Sequence, residues 1–298
     1  MSVFIGSFHG SMLAPPLAVR LGLVHVSVHT TLYPNGEFEL VKTLPVNMTH
    51  IVFVMDFLSA GSEQINREVL ALIMLLRQLA RCVPTVTLMM PYLPYGRAEN
   101  WQDTPLALLF EVLAHFKNFT IMTIDQHNEA IILPHTASHD TSFLWDKAPL
   151  SSLQQLNPVL ISPDSGGAAR VYRLAATLNF DHGIMSKERN DVGDVRVCNL
   201  TCDVESRAVI LYDDIIDTGK TAVQAADFLR ARGAKKIVGF FTHAVLSDGA
   251  QERLQQAGFD DIFFTNSLIK LPTPGVTLVL LEDLMADFLR SVFDSEAN

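Results

Sequence analysis

The sequence predicts an α/β protein with two similar halves, each a mainly parallel sheet flanked by helices. Three observations support this fold class. Apolar segments of strand length alternate with segments of helical period, the second half repeats the order of the first, and one strand runs into a polar turn that opens a helix. Such alternation is typical of βαβ units, in which helices cover both faces of a parallel sheet.

In the first half, the continuous apolar run at residues 51–57 predicts a strand. Residues 64–81 then show helical spacing, because their apolar side chains fall on one face formed by Ile65, Val69, Leu72, Ile73 and Leu76. Apolar runs at 86–90 and 119–124 predict two further strands. The first half therefore has the elements of a parallel sheet with a covering helix.

The second half repeats this plan. Its predicted elements are a strand at 159–162, a glycine turn at 166–167, a helix at 168–179, an extended segment at 180–185, a strand beginning at 209, a helix after 221 and a strand at 237–242. The repetition predicts a duplicated domain, with the two copies joined near residues 140–150.

The composition fits a chain of two domains. A chain of 298 residues is long enough for two domains with separate cores. Hydrophobic residues make up 49% and charged residues 18%, below the roughly 25% of typical proteins, so we expect apolar surface to be buried between subunits. The net charge of −10 argues against a nucleic-acid partner.

The cysteines and the hydropathy pattern indicate a cytoplasmic protein. Cys82, Cys198 and Cys202 form an odd set without a CxxC pair, which fits free thiols in a reducing compartment. No basic residue precedes Arg20, so a signal peptide is not expected. The longest uncharged apolar run, residues 69–76, is too short to span a bilayer, and no membrane association is expected.

The segment 209–221 carries the strongest functional signal. An apolar strand ends in Asp213 and Asp214, a polar turn follows, and a helix begins with Ala222, Ala225, Ala226 and Leu229 on its apolar face. Unpaired backbone N–H groups at such a turn bind phosphate well, and Gly219 lets the chain come close to it. The carboxylates stand where an open α/β sheet places its ligand. The pattern suits a sugar phosphate or a magnesium ion.

Two other interpretations of this segment are weaker. An ordinary strand-to-helix turn with solvated acids would need only one Asp-Gly step, whereas three aspartates and two threonines surround this turn. A P-loop would need a glycine five positions before Gly219, and Asp214 occupies that position.

Further polar groups follow other predicted strands. Asp125 and His127 follow the strand at 119–124, although their spacing alone favours a hydrogen-bonded structural histidine. Asp164 follows the strand at 159–162, in a segment that also reads as a Pro-Asp-Gly type turn.

Lys187 and Arg189 are two residues apart in an extended segment, which places them on the same side of the chain, and they also read as a solvated basic pair. The Pro-Asn-Gly step at 34–36 reads, on its own, as a hairpin turn.

Taken together, these motifs resemble a known family. The segment 209–221 resembles the 5-phosphoribosyl-1-pyrophosphate (PRPP) loop of type I phosphoribosyltransferases, and its form Asp-Asp-Ile-Ile-Asp-Thr resembles ribose-phosphate pyrophosphokinases. That family transfers the diphosphate of ATP to the anomeric hydroxyl of ribose 5-phosphate, giving PRPP and AMP. The resemblance runs nearly end to end and implies two phosphoribosyltransferase-like domains. Residues 1–143 would form the ATP side and the subunit contacts, and residues 144–298 would carry the PRPP-type loop and the catalytic cations.

The resemblance also implies a role for each matching residue. Lys187 and Arg189 would be catalytic. The ATP-binding residues would be Tyr33, Asn35, Gly36, Glu37 and Arg97. Ribose 5-phosphate would be bound by Arg189, Asp213, Asp214, Asp217, Thr218, Gly219 and Thr221. Lys220, which departs from the family pattern, would either add a contact to the phosphate or lie in solvent as a surface lysine. The ligands of Mg²⁺ would be His127, Asp164 and Asp125. The loop around Tyr33 comes from a neighbouring subunit in the family, so a homodimer or a higher homo-oligomer is expected, with a hexamer among the options.

The chain departs from the family pattern in two places. The loop at residues 98–104 is about two residues shorter and lacks the family's basic residues, and Lys220 replaces a small residue. Three alternatives therefore stay open: a relative that diphosphorylates another ribose-5-phosphate-bearing acceptor, a non-catalytic regulatory paralogue, and a phosphoribosyltransferase that consumes PRPP. The retained Lys187 and His127 argue against a regulator, and the ATP-side motifs argue against the last alternative.

Overall fold

The computed structural model describes residues 2–41, 48–57, 62–129, 131, 136–139, 153, 155–189, 195–247, 249–268 and 274–297. They form two compact units. The first comprises Met1–Asp140 together with Leu280–Asn298, and the second comprises Thr141–Val279. The predicted boundary between residues 143 and 144 lies outside the described residues. The prediction assigned all of residues 144–298 to the second half, whereas Leu280–Asn298 belongs to the first unit.

The first unit contains a seven-stranded sheet among its described residues. In chain order the strands are β1 Val3–Phe8, β2 Val24–Leu32, β3 Phe38–Val41, β4 His50–Val54, β5 Thr85–Met89, β6 Asn118–Ile124 and β7 Thr136–His139. They lie in the order β3-β2-β1-β4-β5-β6-β7, and every neighbouring pair is parallel except β2 with β3. Helices α1 Ala14–Leu21, α2 Ser62–Leu79 and α3 Pro105–Leu113 belong to this unit.

Helix α1 begins against a buried carboxylate from the end of β4. Asp56 Oδ2 accepts hydrogen bonds from the backbone N–H groups of Met12 (2.6 Å) and Leu13 (3.0 Å). Burial raises the pKa of Asp56, and these hydrogen bonds oppose the rise because they favour the ionised form. The contact satisfies N–H groups at the helix start and fixes the helix to the sheet.

The second unit repeats the architecture with its own seven-stranded sheet in the described part of the chain. The strands are β8 Val159–Ser162, β9 Asp181–Arg189, β10 Val195–Leu200, β11 Ala208–Ile216, β12 Lys236–Ala244, β13 Asp261–Thr265 and β14 Val276–Val279. Their order is β10-β9-β8-β11-β12-β13-β14, and only β9 and β10 pair antiparallel. The helices are α4 Ala168–Leu178, α5 Lys220–Ala231 and α6 Ala250–Gln256.

The degree of burial explains why the sequence pattern predicts some strands and not others. Every residue of β4, β5 and β8 is buried, as expected for central parallel strands covered on both faces. Such strands appear as continuous apolar runs. The strands β2, β3 and β14, which lie at or next to a sheet edge, are partly exposed along their length.

The last helix, α7 Glu282–Ala297, belongs to the first unit. It packs near α1, where Asp283 forms an ion pair with Arg20. Two of its aromatic rings meet histidines of the first sheet edge-on: Phe288 against His139 (centroids 5.5 Å apart) and Phe293 against His50 (5.7 Å). The first unit is therefore completed by the end of the chain.

The predicted fold class is confirmed: both units are mainly parallel sheets flanked by helices. The predicted helix at 64–81 is Ser62–Leu79, and the one at 168–179 is Ala168–Leu178. The parallel strands of each sheet present their carboxyl ends at one edge, which is where ligands bind in open α/β sheets. No helix in the described ranges is both long and apolar enough to cross a membrane.

Candidate active site

A polar loop joins β11 to α5 at the carboxyl edge of the second sheet. Gly219 caps the helix in the left-handed conformation (φ 74°), which a glycine adopts without strain. Helix α5 begins at Lys220, so its first N–H groups have no partner within the helix. Thr218 and Thr221 are half-buried, and neither hydroxyl has a hydrogen-bond partner among the described residues. The loop thus presents several donors that are free to bind an anion.

The 217–221 loop is held in place from the side of helix α6. Ser247 donates a hydrogen bond to Asp217 Oδ1. Arg253 Nε donates to the carbonyl oxygen of Thr218 at 2.9 Å. One carboxylate oxygen of Asp217, which was predicted to bind the acceptor, is therefore hydrogen-bonded within the protein and helps to hold the loop. Sequence patterns gave no sign of either Ser247 or Arg253, because both lie about thirty residues further along the chain.

Lys220, the unusual residue of this loop, is exposed at the first position of α5. Its exposure agrees with a surface lysine that lies in solvent rather than with one that contacts the phosphate.

The two aspartates at the end of β11 have different surroundings. Asp213 is half-buried, and its Oδ1 accepts a hydrogen bond from the backbone N–H of Asp214 at 3.1 Å. Asp214 is only 2% exposed, and its Oδ1 lies 3.3 Å from Nη1 of Arg170. Arg170 stands in the predicted motif around Asp164, but no role was assigned to it from the sequence. Asp213 is thus open to a ligand, whereas Asp214 is engaged inside the unit.

Electrostatics at this strand end disfavour the ionised form of Asp213. Burial raises the pKa of Asp213 well above its usual value of 3.8, and the nearby carboxylates of Asp214 and Asp164 raise it further. Arg170 lowers it in part. Negative charge therefore exceeds positive charge here, which favours hydrogen-bond donors or a cation as the ligand.

Asp164 lies in the turn between β8 and α4. Its Oδ1 accepts from the N–H of Gly166 at 3.0 Å, and its carbonyl oxygen accepts from Ser162 Oγ at 2.7 Å. The turn is tight, because a Cβ on Gly167 would lie 2.6 Å from that hydroxyl. These contacts fix the position of a half-buried carboxylate beside the end of β11.

Lys187 and Arg189 belong to strand β9, which pairs with β10 through Lys187 opposite Val197 and Arg189 opposite Val195. The extended backbone predicted for this pair is confirmed. The side chains of the two cations lie outside the part of the chain that the structure describes.

In the first unit, Asp125 and His127 follow β6 at the carboxyl edge of the sheet. Asp125 is 4% exposed and has a positive φ of 47°, which is uncommon for a residue other than glycine. Its N–H donates to the carbonyl oxygen of His139 at 2.7 Å. Gln126 Nε2 ties down the following loop by donating to the carbonyl oxygens of Asn128 (2.6 Å) and Ile131 (2.9 Å). His127 is exposed on this fixed loop.

The predicted ATP-binding loop is the hairpin between β2 and β3. The N–H of Tyr33 donates to the carbonyl oxygen of Glu37 (2.8 Å), and the N–H of Gly36 donates to that of Tyr33 (2.9 Å). Asn35 Oδ1 accepts from the N–H of Glu37 at 3.2 Å. Gly36 has φ 87°, which explains the glycine. The hairpin that the sequence suggested is confirmed, and all its residues are exposed.

Arg97 is exposed and follows a turn at Tyr95, which has φ 59°. Tyr95 Oη donates to Asn66 Oδ1 at 2.7 Å and holds this turn against α2. The structure places Arg97 after β5, in the same unit as the hairpin of Tyr33 and as His127.

The shortened segment at residues 98–104 folds into a single 3₁₀ turn, Trp101–Asp103. Thr104 then caps α3: its Oγ1 accepts from the N–H of Leu106 (3.3 Å) and donates to the carbonyl oxygen of Trp101 (2.6 Å). The Trp101 ring packs edge-on against Phe110 at 5.7 Å. The segment therefore forms a compact, capped start to helix α3.

The donor set fits Mg²⁺ that shares its coordination with substrate. Within the described residues, no three His, Cys, Asp or Glu side chains stand together closely enough to hold a metal ion by themselves. Mg²⁺ commonly binds through one or two protein carboxylates plus substrate phosphates. The excess of negative charge that raises the pKa of Asp213 is the condition that such a cation relieves.

Comparison with known proteins gives a consistent result. The family model described as "Phosphoribosyl synthetase-associated domain" matches residues 166–298. The ribose-phosphate pyrophosphokinase of Helicobacter hepaticus is 28% identical and aligns over 99% of this chain and 96% of its own length. That of Vibrio parahaemolyticus is 29% identical over 96% and 94%. A crystal structure of phosphoribosylpyrophosphate synthetase from Mycobacterium smegmatis shares the fold, with a TM-score of 0.81, 23% identity and coverage of 99% of this chain and 100% of that one.

Proposed function

We propose, since this chain belongs to the ribose-phosphate pyrophosphokinase family, that it transfers the diphosphate of ATP to the anomeric hydroxyl of ribose 5-phosphate and releases AMP. One observation carries the proposal. At the end of β11 a half-buried carboxylate, Asp213, stands directly before a loop whose backbone N–H groups and threonine hydroxyls are open to an anion. A sugar phosphate carries both features that this arrangement recognises.

The second unit would bind the acceptor. The 5-phosphate would lie on the 217–221 loop and accept hydrogen bonds from backbone N–H groups and from the hydroxyls of Thr218 and Thr221. Asp213 would accept hydrogen bonds from the ribose hydroxyls, which also offsets the electrostatic cost of ionising it. This placement leaves the anomeric hydroxyl directed away from the phosphate loop.

The first unit would bind ATP. Tyr33, Asn35, Gly36 and Glu37 offer an exposed hairpin for the adenine, and Arg97 offers a cation for the polyphosphate. Asp125 and His127 of this unit would offer ligands to Mg²⁺, as Asp164 would in the second unit, and the ion neutralises charge on the transferring phosphates when it is bound. The rigid loop that carries His127 supports this role, because Gln126 anchors it through two hydrogen bonds.

In the reaction, the anomeric oxygen would form a bond to the β-phosphorus as the bond between that phosphorus and the α,β-bridging oxygen breaks. The acceptor hydroxyl releases its proton to solvent, and AMP leaves with the bridging oxygen. Phosphoryl-type transfer depends mainly on positioning and charge stabilisation. Lys187 and Arg189 would stabilise the negative charge on the transferring group and on the leaving AMP.

Product identity tests the proposal. Purified protein is incubated with ATP and Mg²⁺, with and without each member of a panel of ribose phosphates, and AMP and ADP are separated by ion-exchange chromatography. We expect AMP to form in an acceptor-dependent way and ribose 5-phosphate to be the best acceptor. ADP as the product, or a lack of acceptor-dependent turnover, would contradict the proposal, and preference for a larger ribose-5-phosphate-bearing acceptor would favour the divergent alternative.

A homodimer is also part of the proposal. The β2–β3 hairpin exposes large apolar side chains, with Val24 61%, Leu32 53% and Val41 45% exposed, at the edge of a sheet. Apolar side chains exposed at a sheet edge can take part in contacts between subunits. Sedimentation at micromolar concentration should show a dimer or larger species that Leu32→Glu weakens; a fully active monomer would argue against it. The free thiols of Cys82 and Cys202 favour a reducing cytoplasmic location.

A further inference from the structure

Two charged side chains face each other inside the second unit. Nη1 of Arg170 lies 3.3 Å from Oδ1 of Asp214, and the side chains are 9% and 3% exposed. Burying either charge without the other is strongly unfavourable, so the two residues depend on each other. The proposed function gives neither of them a role that this geometry satisfies, because Asp214 is too deeply buried to meet a substrate in solution.

The pair joins the two polar segments of the site. Arg170 is the third residue of α4 and follows directly on the turn that carries Asp164. Asp214 is the neighbour of Asp213 on β11, and its backbone N–H donates to the carboxylate of Asp213 at 3.1 Å. A displacement of Asp214 would therefore move the group to which Asp213 is hydrogen-bonded.

We propose that Arg170 and Asp214 form a positioning pair for the acceptor site: Arg170 holds Asp214 inside the unit, which fixes Asp213 and the Asp164 turn relative to each other, and Asp214 does not contact the acceptor. The inference rests on the proposed function. It differs from the sequence-based expectation, in which Asp214 binds ribose 5-phosphate.

The charge of Arg170 supports this role in addition to its packing. It lowers the pKa of Asp213, whereas burial, Asp214 and Asp164 raise it. Without the guanidinium, three neighbouring carboxylates would repel one another. They would then shift apart or take up a proton, and either change would alter the carboxylate that faces the acceptor.

A double-mutant cycle tests the pair. The variants are Arg170→Met, Asp214→Asn and the double variant, in which both buried charges are removed together so that the protein can fold even if a single variant does not. Measurements are the Tm, the affinity for ribose 5-phosphate by calorimetry in the presence of Mg²⁺, and the KM for each substrate. The matched control is Arg207→Met with Asp181→Asn, a second Arg–Asp pair in the same unit, 2.7 Å apart.

We expect the double variant to regain the Tm that either single variant loses. Its acceptor KM should nevertheless stay about tenfold or more above wild type, because the pair that orients Asp213 is missing. The KM for ATP should change by less than about threefold, and Arg170→Lys should restore part of the acceptor affinity. The control pair should change the Tm alone. If Asp214 binds the acceptor directly, Asp214→Asn will raise the acceptor KM more than Arg170→Met does, and the two increases will add in the double variant. That result would overturn the inference.

A double variant with wild-type acceptor affinity would also overturn the inference and leave the pair with a role in stability only. The wild-type arm separates this failure from a failure of the proposed function. If wild-type protein produces no acceptor-dependent AMP, the proposed function and the inference fall together. If it does and the variants match it in acceptor KM, only the inference falls.

Discussion

Arg253 on helix α6 donates a hydrogen bond from Nε to the carbonyl oxygen of Thr218, 2.9 Å away, and so supports the backbone of the 217–221 loop. A loop that binds phosphate through backbone groups needs such support, because its N–H groups bind the anion only while the backbone is held in place. The relationship gives the first prediction.

Arg253→Met should raise the KM for ribose 5-phosphate by roughly tenfold, as expected for loss of a hydrogen bond from a charged group worth about 1.5 kcal/mol. The KM for ATP should stay close to wild type, and initial rates over a matrix of both substrates measure the two constants. Gln256→Ala, an exposed position on the same helix, serves as control. An equal loss for both substrates would show that Arg253 supports the whole unit rather than the loop.

Asp213→Asn should stabilise the ligand-free protein at neutral pH although it impairs the reaction. The pKa of Asp213 is raised in the folded state above its usual 3.8, so the folded state binds this proton more tightly than the unfolded state does. The stability that Asp213 contributes is therefore present below pH 3.8 and is lost as pH rises through the folded pKa. Asparagine, which does not ionise, removes that loss.

The measurement is the Tm of both proteins between pH 4 and pH 8. A gain of about 1 kcal/mol at pH 7 would raise the Tm by roughly 2–4 °C, and the difference should shrink towards pH 4. Asp227→Asn, at an exposed position of α5, should leave the profile unchanged. A variant less stable than wild type at every pH would show that the Asp213 carboxylate is favourably ionised after all.

Gly167→Ala should disrupt the turn that positions Asp164. The new Cβ would lie 2.6 Å from Ser162 Oγ, a hydroxyl that donates to the carbonyl oxygen of Asp164. Overpacking of this kind destabilises by about 1–3 kcal/mol. Chemical denaturation measures it, and the kcat of the folded fraction should fall as well. Gly258→Ala, whose Cβ would meet nothing nearer than 3.9 Å, is the matched control.

Lys220→Ala should leave the acceptor KM within about threefold of wild type, because Lys220 is exposed and a change of that size corresponds to less than 1 kcal/mol. Thr221→Val should instead lower the affinity for the acceptor and leave the affinity for ATP nearly unchanged, since it removes a free hydroxyl from the loop. Steady-state kinetics with each substrate varied distinguish the two. A tenfold or greater rise in acceptor KM for Lys220→Ala would mean that the lysine turns into the site.

Lys187→Ala should lower kcat by roughly two orders of magnitude or more with little change in either KM, as expected when a group stabilises charge only in the transition state. The variant Arg232→Ala, an exposed arginine whose guanidinium stacks on Phe228, is a control for loss of a cation from the same unit. A change confined to KM would indicate that Lys187 binds the ground state.

The sequence was most informative where burial is complete. Strands β4, β5 and β8 are buried along their whole length, so each gives an apolar run that could be recognised. The hairpin of Pro34, Asn35 and Gly36 could also be predicted, because Gly36 needs the positive φ that the turn requires. Local patterns were sufficient in both cases.

Features that depend on distant contacts could not be predicted. Asp213 and Asp214 are adjacent and chemically identical, and only the approach of Arg170 from another element distinguishes them. The residue type of Asp125 does not predict its left-handed backbone conformation. That conformation is accompanied by a hydrogen bond from the N–H of Asp125 to the carbonyl oxygen of His139, a residue further along the chain. The packing of α7 depends on tertiary contacts, whereas its amphipathic pattern would suit either unit.

The position of α7 has a consequence for synthesis of the chain. Domains generally fold as units and in order as they leave the ribosome. Here the helix that covers His50 and His139 is made only after the whole of Thr141–Val279. During translation that face of the first unit therefore stays uncovered until the second unit has been synthesised. A purified fragment that ends at Val279 should therefore be open to proteases in the first unit and protected in the second.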